Sequence, residues 1–422
     1  EGLKFRFYAD PPKGRVGSGG GTLVALSALF QEEVGRSAFS GPGGAADEVA
    51  LRAFFGERRV LVLHAGGESR RLPCYVPEGK LFGPISVPSG VISACPPVVL
   101  DLVLALYFRY PWARGEVILA SGDVIVDFDT AAFSRPELPF ERGGICGFGK
   151  AASLEQGSRH GVFAFSQGAA QTAGMATTLV VSDFHQKSPV SVLAAECLVP
   201  GTSDQCALDM GIFTMSVEWC LAFFRMAGSP CVAGASDASS TAAATVMTAV
   251  EESKLYFDFY LEVVIASLPN QSREVYLKRM ANSSELPVPV LEVMHDCMQG
   301  LELRGALVSD AVFLHFGTLR EFPQASAEAR GRSMVPFYAA QSQEAAVDVA
   351  VRSAGGVLLL NCSPGSIRVE REGGHAAAID EAAWVEMCSG LEVTLSPAGF
   401  HMLVGLQKVR VLQPLPPGIC LD

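Results

Sequence analysis

The sequence contains no long uninterrupted run of apolar residues, although 49% of its 422 residues are hydrophobic. A membrane-spanning helix needs about 20 such residues in a row, and the longest candidate, Val98–Phe108, is interrupted by Asp101. The first residues also lack the basic segment and small-residue cleavage site of a secretory signal. The sequence therefore predicts no membrane segment, and its composition allows a sizeable core.

Positive charge is scarce, because 32 Lys and Arg residues stand against 44 Asp and Glu residues, and the formal net charge is −12. Nucleic-acid-binding proteins need a basic surface to neutralise phosphates, so we expect no nucleic-acid partner. A small anionic ligand in a local basic pocket fits this composition better. The 11 cysteines form no CxxC pair and no zinc-finger spacing, which is typical of reduced thiols in the cytoplasm.

The segment VLVLHAGGESRRLPCYVPEGKLFGP, Val60–Pro84, predicts a phosphate-binding loop. Val60–Leu63 has the composition of a buried strand, and the turn that follows it contains Gly66 and Gly67. Glycine lets backbone N–H groups approach an anion without interference from a Cβ atom. Three cationic side chains follow: Arg70, Arg71 and Lys80. This combination predicts a cradle for a triphosphate, whereas a glycine pair alone would be typical of a solvated turn.

A second glycine-rich stretch precedes the apolar helical segment Leu23–Phe30, after a predicted strand at Lys4–Ala9. A glycine loop at a helix N-terminus is a common anion-binding site, and Ser18 or Thr22 is a candidate helix cap. The alternative is a flexible loop. The residues expected to form a second wall of the nucleotide site are Gly19, Gly20, Gly21 and Thr22.

The order of elements predicts the fold class. Val60–Leu63 is followed by a predicted helix at Cys95–Tyr110 and a predicted strand at Glu116–Ala120. Strands alternating with helices are typical of a Rossmann-like α/β domain with a mainly parallel sheet. Ligands of such sheets bind beyond the carboxyl ends of the strands, so we expect both glycine loops to lie at one edge of one sheet.

Asp123 follows a predicted strand and lies at the same expected edge. A carboxylate at a strand end can hold Mg²⁺ while phosphates and water complete its coordination. Asp127 and Asp129 lie on the following strand and are alternatives. A plain turn aspartate is the other interpretation.

These strings resemble the signature of sugar-nucleotide pyrophosphorylases, in which a glycine pair precedes an Arg-Leu-x-Pro-like element and a lysine. Here the elements are Gly66-Gly67, Arg71-Leu72-Pro73 and Lys80, while Ser69 and Arg70 depart from the usual Gly-Thr. The residue string from His64 to Lys80, together with the glycine run before Leu23, is similar to that of one branch, the L-fucose-1-phosphate guanylyltransferases. These include the pyrophosphorylase part of bifunctional fucokinase/GDP-fucose pyrophosphorylases.

Later strings resemble the same family. Asp183–Pro189 resembles a Gln-Lys-Pro element. The resemblance implies that Lys187 binds the sugar 1-phosphate, and a solvated lysine is the alternative. Leu208–Phe213 resembles an Asp-x-Gly-Ile element, in which Asp209 and Gly211 would face the sugar. The string Phe313–Thr318 also matches the family pattern. The sugar-site residues that it implies are His315 and Thr318.

Asp258 lies between two aromatic residues at the start of a predicted helix. The family has a similar aspartate, and the resemblance makes Asp258 a second metal carboxylate beside Asp123. A helix cap is the equal alternative.

The resemblance implies guanylyl transfer from GTP to L-fucose 1-phosphate, with Mg²⁺, giving GDP-L-fucose and pyrophosphate. Arg71 and Arg70 would hold the leaving phosphates, and Lys80 would bridge the α-phosphate and the sugar phosphate. Ala65 would join the glycine pair in the nucleotide loop. The alternatives are a pyrophosphorylase for another sugar 1-phosphate, of the D-arabinose or mannose type, and a non-catalytic nucleotide-sugar-binding protein.

From about residue 355 short apolar runs alternate with Gly, Pro and Ser, which predicts a β-rich region. The family resemblance implies that this region is β-helical. We expect a nucleotidyltransferase domain over residues 1–300 and an incomplete C-terminal domain over residues 301–422. The resemblance also implies a fused fucokinase domain in a longer natural chain.

Overall fold

The computed structural model describes residues 4–35, 46–65, 79–83, 98–130, 143–166, 171–173, 176–231, 245–269, 271–316 and 325, and seven short strands between residues 347 and 421. The described helices, in chain order, are α1 Gly17–Val34, α2 Glu48–Gly56, α3 Val99–Arg109, α4 Leu154–Gly157, α5 Val190–Glu196, α6 Val217–Gly228, α7 Val246–Glu251, α8 Val264–Ala266, α9 Arg273–Met280 and α10 Val288–Met298. A 3₁₀ turn spans Lys80–Phe82, and a π-helical turn spans Phe259–Val263.

The described strands of the first 316 residues are β1 Val60–His64, β2 Val117–Ser121, β3 Val124–Asp127, β4 Gly144–Ser153, β5 Gly161–Phe165, β6 Gln171–Ala173, β7 Ala176–Gln186, β8 Gln205–Met215, β9 Glu302–Val308 and β10 Val312–His315. The later strands are β11 Val347–Ala350, β12 Val357–Leu360, β13 Gly365–Val369, β14 Ala383–Glu386, β15 Glu392–Leu395, β16 His401–Val404 and β17 Cys420–Leu421.

The chain forms two compact units, each discontinuous in sequence. Unit 1 comprises residues 1–64, 110–121 and 128–311, and unit 2 comprises residues 65–109, 122–127 and 312–422. The division into domains at residue 300 stays a prediction, because these units follow contacts between residues and not function.

Unit 1 contains an eight-stranded mixed sheet with the order β1-β2-β8-β4-β9-β7-β5, to which β6 is added at β7. The β1–β2 and β4–β9 pairs are parallel, and the other pairs are antiparallel. The α/β class is confirmed, but the expected mainly parallel sheet is wrong. The 11-residue strand β8 runs antiparallel between β2 and β4. Parallel pairing is limited to β1–β2, whose connection includes α3, and to β4–β9, which are not consecutive in sequence.

Helix α1 begins inside the glycine-rich stretch that was expected to be a loop, because Gly17–Gly21 form its first turns. A Cβ atom at Gly19 would lie 2.3 Å from the Phe257 ring, so glycine permits close packing here. Lys4–Ala9 is not a strand, and the prediction of one there is wrong. The apolar face of α1 is buried at Leu23, Leu26 and Phe30.

Unit 2 contains the antiparallel pair β3–β10, the helix α3 and the 3₁₀ turn at Lys80. Its later strands pair in parallel. Strands β11 to β16 alternate along the chain between two sheets, and β17 joins the same sheet as β16. One sheet has the order β11-β13-β15, and the other has the order β12-β14-β16-β17. The region is therefore β-rich, as predicted. Among the described residues of both units, no helix has the length and apolarity required to cross a bilayer.

Candidate active site

Lys80 and Asp123 form a partly buried ion pair in unit 2. Lys80 Nζ donates to Asp123 Oδ2 over 2.9 Å, and the lysine is only 7% exposed. A lysine is seldom buried unless it is paired. The two residues are 43 positions apart, so the fold has brought together the end of the predicted phosphate loop and the predicted metal carboxylate.

The β3–β10 ladder brings a third residue to this pair. His315 lies opposite Val124 in the antiparallel register, and the backbone N–H of Phe316 donates to the carbonyl oxygen of Asp123 over 2.8 Å. His315 Nε2 consequently lies 3.7 Å from Asp123 Oδ2. His315, predicted for the sugar site, therefore approaches the same carboxylate oxygen as Lys80.

Asp123 is held in its ionised form. Burial by itself would raise the pKa of this carboxyl, but interactions with His315 and the positive charge of Lys80 outweigh burial and hold the pKa well below its ordinary value. An ionised carboxylate beside a buried ammonium group gives the site one anion and one cation that can separate when a charged ligand enters.

Gly79, the residue before Lys80, lies close to the start of the predicted phosphate loop. Gly79 has φ +79°, and a Cβ atom at this residue would lie 3.2 Å from the carbonyl oxygen of Ala65. Ala65 is the residue that leaves β1. Five predicted site residues lie outside the described residues: Gly66, Gly67, Arg70, Arg71 and Thr318.

In unit 1, the N-terminal part of α1 contacts the carboxyl end of β1. Thr22 Oγ1 lies 2.8 Å from the Ser18 carbonyl oxygen, to which it donates, and 2.9 Å from His64 Nε2. His64 pairs with Ser121 in the parallel register of β1 and β2. Gly66 and Asp123 each follow one of these neighbouring strands by two residues. Sequence reasoning did not assign His64 a role, although its place directly before the glycine turn was a usable signal.

Asp258 caps the π-helical turn. Its Oδ1 accepts hydrogen bonds from the backbone N–H groups of Tyr260, at 2.7 Å, and Leu261, at 3.2 Å. Burial raises the pKa of Asp258, and the hydrogen bonds and the charge of Lys187 only partly oppose this rise. The capping alternative is therefore observed, and the metal role of Asp258 stays a prediction.

The other predicted sugar-site residues of unit 1 lie at strand ends and bends. Lys187 follows β7 with a left-handed backbone, φ +50°, and its N–H donates to the His160 carbonyl oxygen. Asp209, on β8, is 7% exposed and accepts a hydrogen bond from the Gly211 N–H over 2.8 Å. Burial raises the pKa of Asp209 to about 7. Gly211 has φ +71°, a conformation that favours glycine.

Among the predicted metal ligands, one carboxylate is well suited to bind Mg²⁺. Mg²⁺ requires ionised oxygen donors, and Asp123 meets this requirement because its pKa is lowered. Asp258 fits less well, because one of its oxygens already accepts two backbone hydrogen bonds and burial favours its neutral form. Asp127, an alternative to Asp123, is paired with Arg109.

The sequence profile of the fucose pyrophosphorylase domain matches residues 53–367. This range includes Lys80, Asp123 and His315. The resemblance seen in the sequence motifs is thus confirmed over most of the chain.

The relatives of this chain include a plant and a human protein. The bifunctional fucokinase/GDP-fucose pyrophosphorylase of Arabidopsis thaliana is 27% identical over 327 residues, which cover 74% of this chain and 27% of that protein. The fucose-1-phosphate guanylyltransferase of Homo sapiens is 26% identical over 167 residues, which cover 38% of this chain and 23% of that protein. The chain thus spans about a quarter of the length of these relatives.

One solved structure, the mannose-1-phosphate geranyltransferase of Thermus thermophilus, is 12% identical with a TM-score of 0.28. The match covers 71% of this chain and 66% of that one. A likeness of this strength supports no inference about function.

Proposed function

The chain belongs to the fucose pyrophosphorylase family, and on this premise we propose that it transfers the guanylyl group of GTP to L-fucose 1-phosphate. The products are GDP-L-fucose and pyrophosphate. A phosphate oxygen of the sugar phosphate attacks the α-phosphorus of GTP, and pyrophosphate leaves in line. One P–O bond forms and one breaks, so no redox partner is required.

The observation that carries the proposal is the ion pair between buried Lys80 and half-buried Asp123, with His315 beside it. The nucleophile is already anionic, so the reaction does not need a strong general base. The obstacle is the approach of two polyanions and the charge that develops on the leaving group. Positioned charges therefore dominate such catalysis.

Lys80 is suited to hold the α-phosphate and the incoming sugar phosphate, because its ammonium group is already largely desolvated. An ammonium group in a water-poor site stabilises developing negative charge more strongly than one in bulk water. Arg70 and Arg71 are proposed to hold the leaving pyrophosphate, with the backbone of Ala65, Gly66 and Gly67 around the nucleotide phosphates.

Mg²⁺ is proposed as the metal, and Asp123 is the residue best suited to hold it. When bound, Mg²⁺ neutralises phosphate charge and acts as a Lewis acid. Asp123 contributes an ionised oxygen, which His315 and Lys80 keep ionised and oriented. The proposed sugar-site residues are Lys187, Asp209, Gly211, His315 and Thr318.

We also propose a β-helical C-terminal region, a fused fucokinase domain and a cytoplasmic location. The alternating parallel strands β11 to β16 support a β-helical C-terminal region, since each of them pairs with the strand two positions away in chain order. A fused fucokinase domain is suggested by the bifunctional relative. The cytoplasm is the proposed location.

The test is pyrophosphate release from a panel of GTP, UTP, ATP and CTP, each offered with L-fucose, D-arabinose and mannose 1-phosphates. We expect the highest kcat/KM for GTP with L-fucose 1-phosphate. A preference for another sugar phosphate would replace the substrate and keep the reaction class. Binding of GDP-fucose without turnover of any pair would contradict the enzyme and favour a nucleotide-sugar-binding protein.

A further inference from the structure

Three side chains in unit 1 direct potential metal ligands toward one another. Asp183 and His185 lie on β7, and Glu196 is the last residue of α5. His185 Nε2 lies 3.4 Å from Asp183 Oδ2 and 3.5 Å from Glu196 Oε2. The proposed guanylyl transfer uses none of these three residues.

The two distances are too long for good hydrogen bonds, which join nitrogen and oxygen at about 2.7–3.2 Å. His185 is only 9% exposed, and its Nε2 atom is buried without a hydrogen-bond partner among the described residues. A buried polar atom without a partner costs about 1–3 kcal/mol. The position therefore leaves room for a group that the protein atoms do not supply.

A metal ion fits the spacing. Two ligands that each lie about 2.1 Å from a tetrahedral Zn²⁺ are about 3.4 Å apart. The separations of His185 Nε2 from the two carboxylate oxygens match this value. All three ligand atoms lie within 4.8 Å of one another, so one ion can reach them after small side-chain movements.

The surroundings of the cluster are those of a supported metal site. Ser188 Oγ lies 3.5 Å from His185 Nδ1, which is also longer than a good hydrogen bond. A small movement would let it accept the proton of the tautomer whose Nε2 is free to bind a metal. Arg279 pairs with Oδ1 of Asp183 and leaves Oδ2 for the ion.

The cluster is also open to solvent on its acidic side. The Asp183 side chain is 36% exposed and the Glu196 side chain is 57% exposed. An ion can therefore enter from solution, and water can complete its coordination.

We propose that Asp183, His185 and Glu196 bind one divalent transition-metal ion, with Zn²⁺ as the ion to test. One imidazole and two carboxylates form a ligand set that suits Zn²⁺, whereas Mg²⁺ prefers oxygen donors alone. The ion would tie the end of β7 to the end of α5 across the turn that contains Lys187. Its role is then to fix that turn, and it is distinct from the ion proposed at Asp123.

The experiment is isothermal titration of Zn²⁺ into the chelator-treated, tag-free full chain. We expect one zinc equivalent to be lost, or its affinity to fall more than about 100-fold, in Glu196→Gln and in His185→Gln. This expectation is conservative, because loss of an outer-shell partner alone costs about 10- to 100-fold in metal affinity. Zinc should also raise the melting temperature of the parent chain but not that of either variant.

The matched control is Glu251→Gln, since Glu251 is likewise an exposed glutamate at the last position of a helix. This variant should bind zinc like the parent. Glu196 is exposed, so its substitution should leave the metal-free melting temperature unchanged. Equal zinc stoichiometry and affinity in the parent and Glu196→Gln, or no zinc binding by the parent, would overturn the proposal.

Discussion

At the scale of single residues, the proposed catalysis depends on charged side chains that the fold shields from water. Lys80 and Asp123 were both predicted from motifs, and they do contact each other. Their ion pair could not be predicted, because a sequence motif does not state which side chains meet. The same limit applies to His315, which reaches Asp123 through the β3–β10 register. Single-residue substitutions are therefore informative tests.

Lys80→Ala should lower kcat by about 10²–10³-fold, because one positioned charge on the transferring group is removed. The steady-state rate of pyrophosphate release measures this effect. The matched control is Lys278→Ala, an exposed lysine of α9, which should keep the parent rate. Activity of Lys80→Ala within a few-fold of the parent would remove Lys80 from the mechanism.

Asp123→Asn should raise the Mg²⁺ concentration needed for half-maximal turnover, with a smaller effect on GTP binding. The amide keeps the shape of the side chain but loses the charge that holds a hard cation. Asp127→Asn is the control, because Asp127, at the end of β3, is paired with Arg109 at the end of α3. If the control shifts the magnesium requirement and Asp123→Asn does not, the metal role belongs to Asp127.

The raised pKa of Asp209 leads us to expect that stability depends on pH. Its pKa is about 7 in the folded chain, against an ordinary value of 3.8. Between about pH 4 and pH 7 the native state therefore binds more protons than the unfolded state, and stability from the neutral carboxyl is lost as pH rises. The free energy of unfolding of Asp209→Asn, from urea titrations, should fall less over this range than that of the parent. Asp204→Asn, at an exposed loop position, should follow the parent. Parallel curves for the parent and Asp209→Asn would refute a raised pKa.

At the scale of secondary-structure elements, periodicity and glycine patterns predicted some elements well and others poorly. The strand at Val60 and the helix before Arg109 were predicted, because each has a continuous apolar pattern. The glycine run before Leu23 was read as a loop, although it forms the first turns of α1. Helix propensity disfavours glycine, and the compensating contact with Phe257 is distant in sequence.

Gly19→Ala should destabilise the chain by about 1–3 kcal/mol, because the new methyl group would overlap the Phe257 ring. Gly21→Ala is the matched control in the same helix. Its Cβ atom would lie no closer than 3.6 Å to Asp10 Oδ1, and alanine favours a helix by about 1 kcal/mol over glycine. Chemical denaturation measures the stability of both variants.

If Gly21→Ala also weakens GTP binding strongly, the predicted nucleotide role of this glycine run gains support. If Gly19→Ala leaves stability unchanged, the packing explanation fails.

At the scale of the whole molecule, the α/β class was predictable and the strand directions were not. The strand–helix–strand order around β1 and β2 predicted their parallel pairing correctly. The antiparallel insertion of β8 depends on pairings between segments about 100 residues apart, and residues 130–250 carried few clear turn signals. Most candidate-site residues lie in short motifs that the family profile also covers, so they could be named from the sequence, whereas their roles stay predictions.

The most direct test of guanylyl transfer is the reverse reaction. The purified chain is incubated with GDP-L-fucose, Mg²⁺ and ³²P-labelled pyrophosphate, and the nucleotides are separated. We predict label in GTP, with equimolar L-fucose 1-phosphate, and a loss of this product in Lys80→Ala. Breakdown of GDP-L-fucose to GMP without labelled GTP, or no reaction at all, would contradict the account.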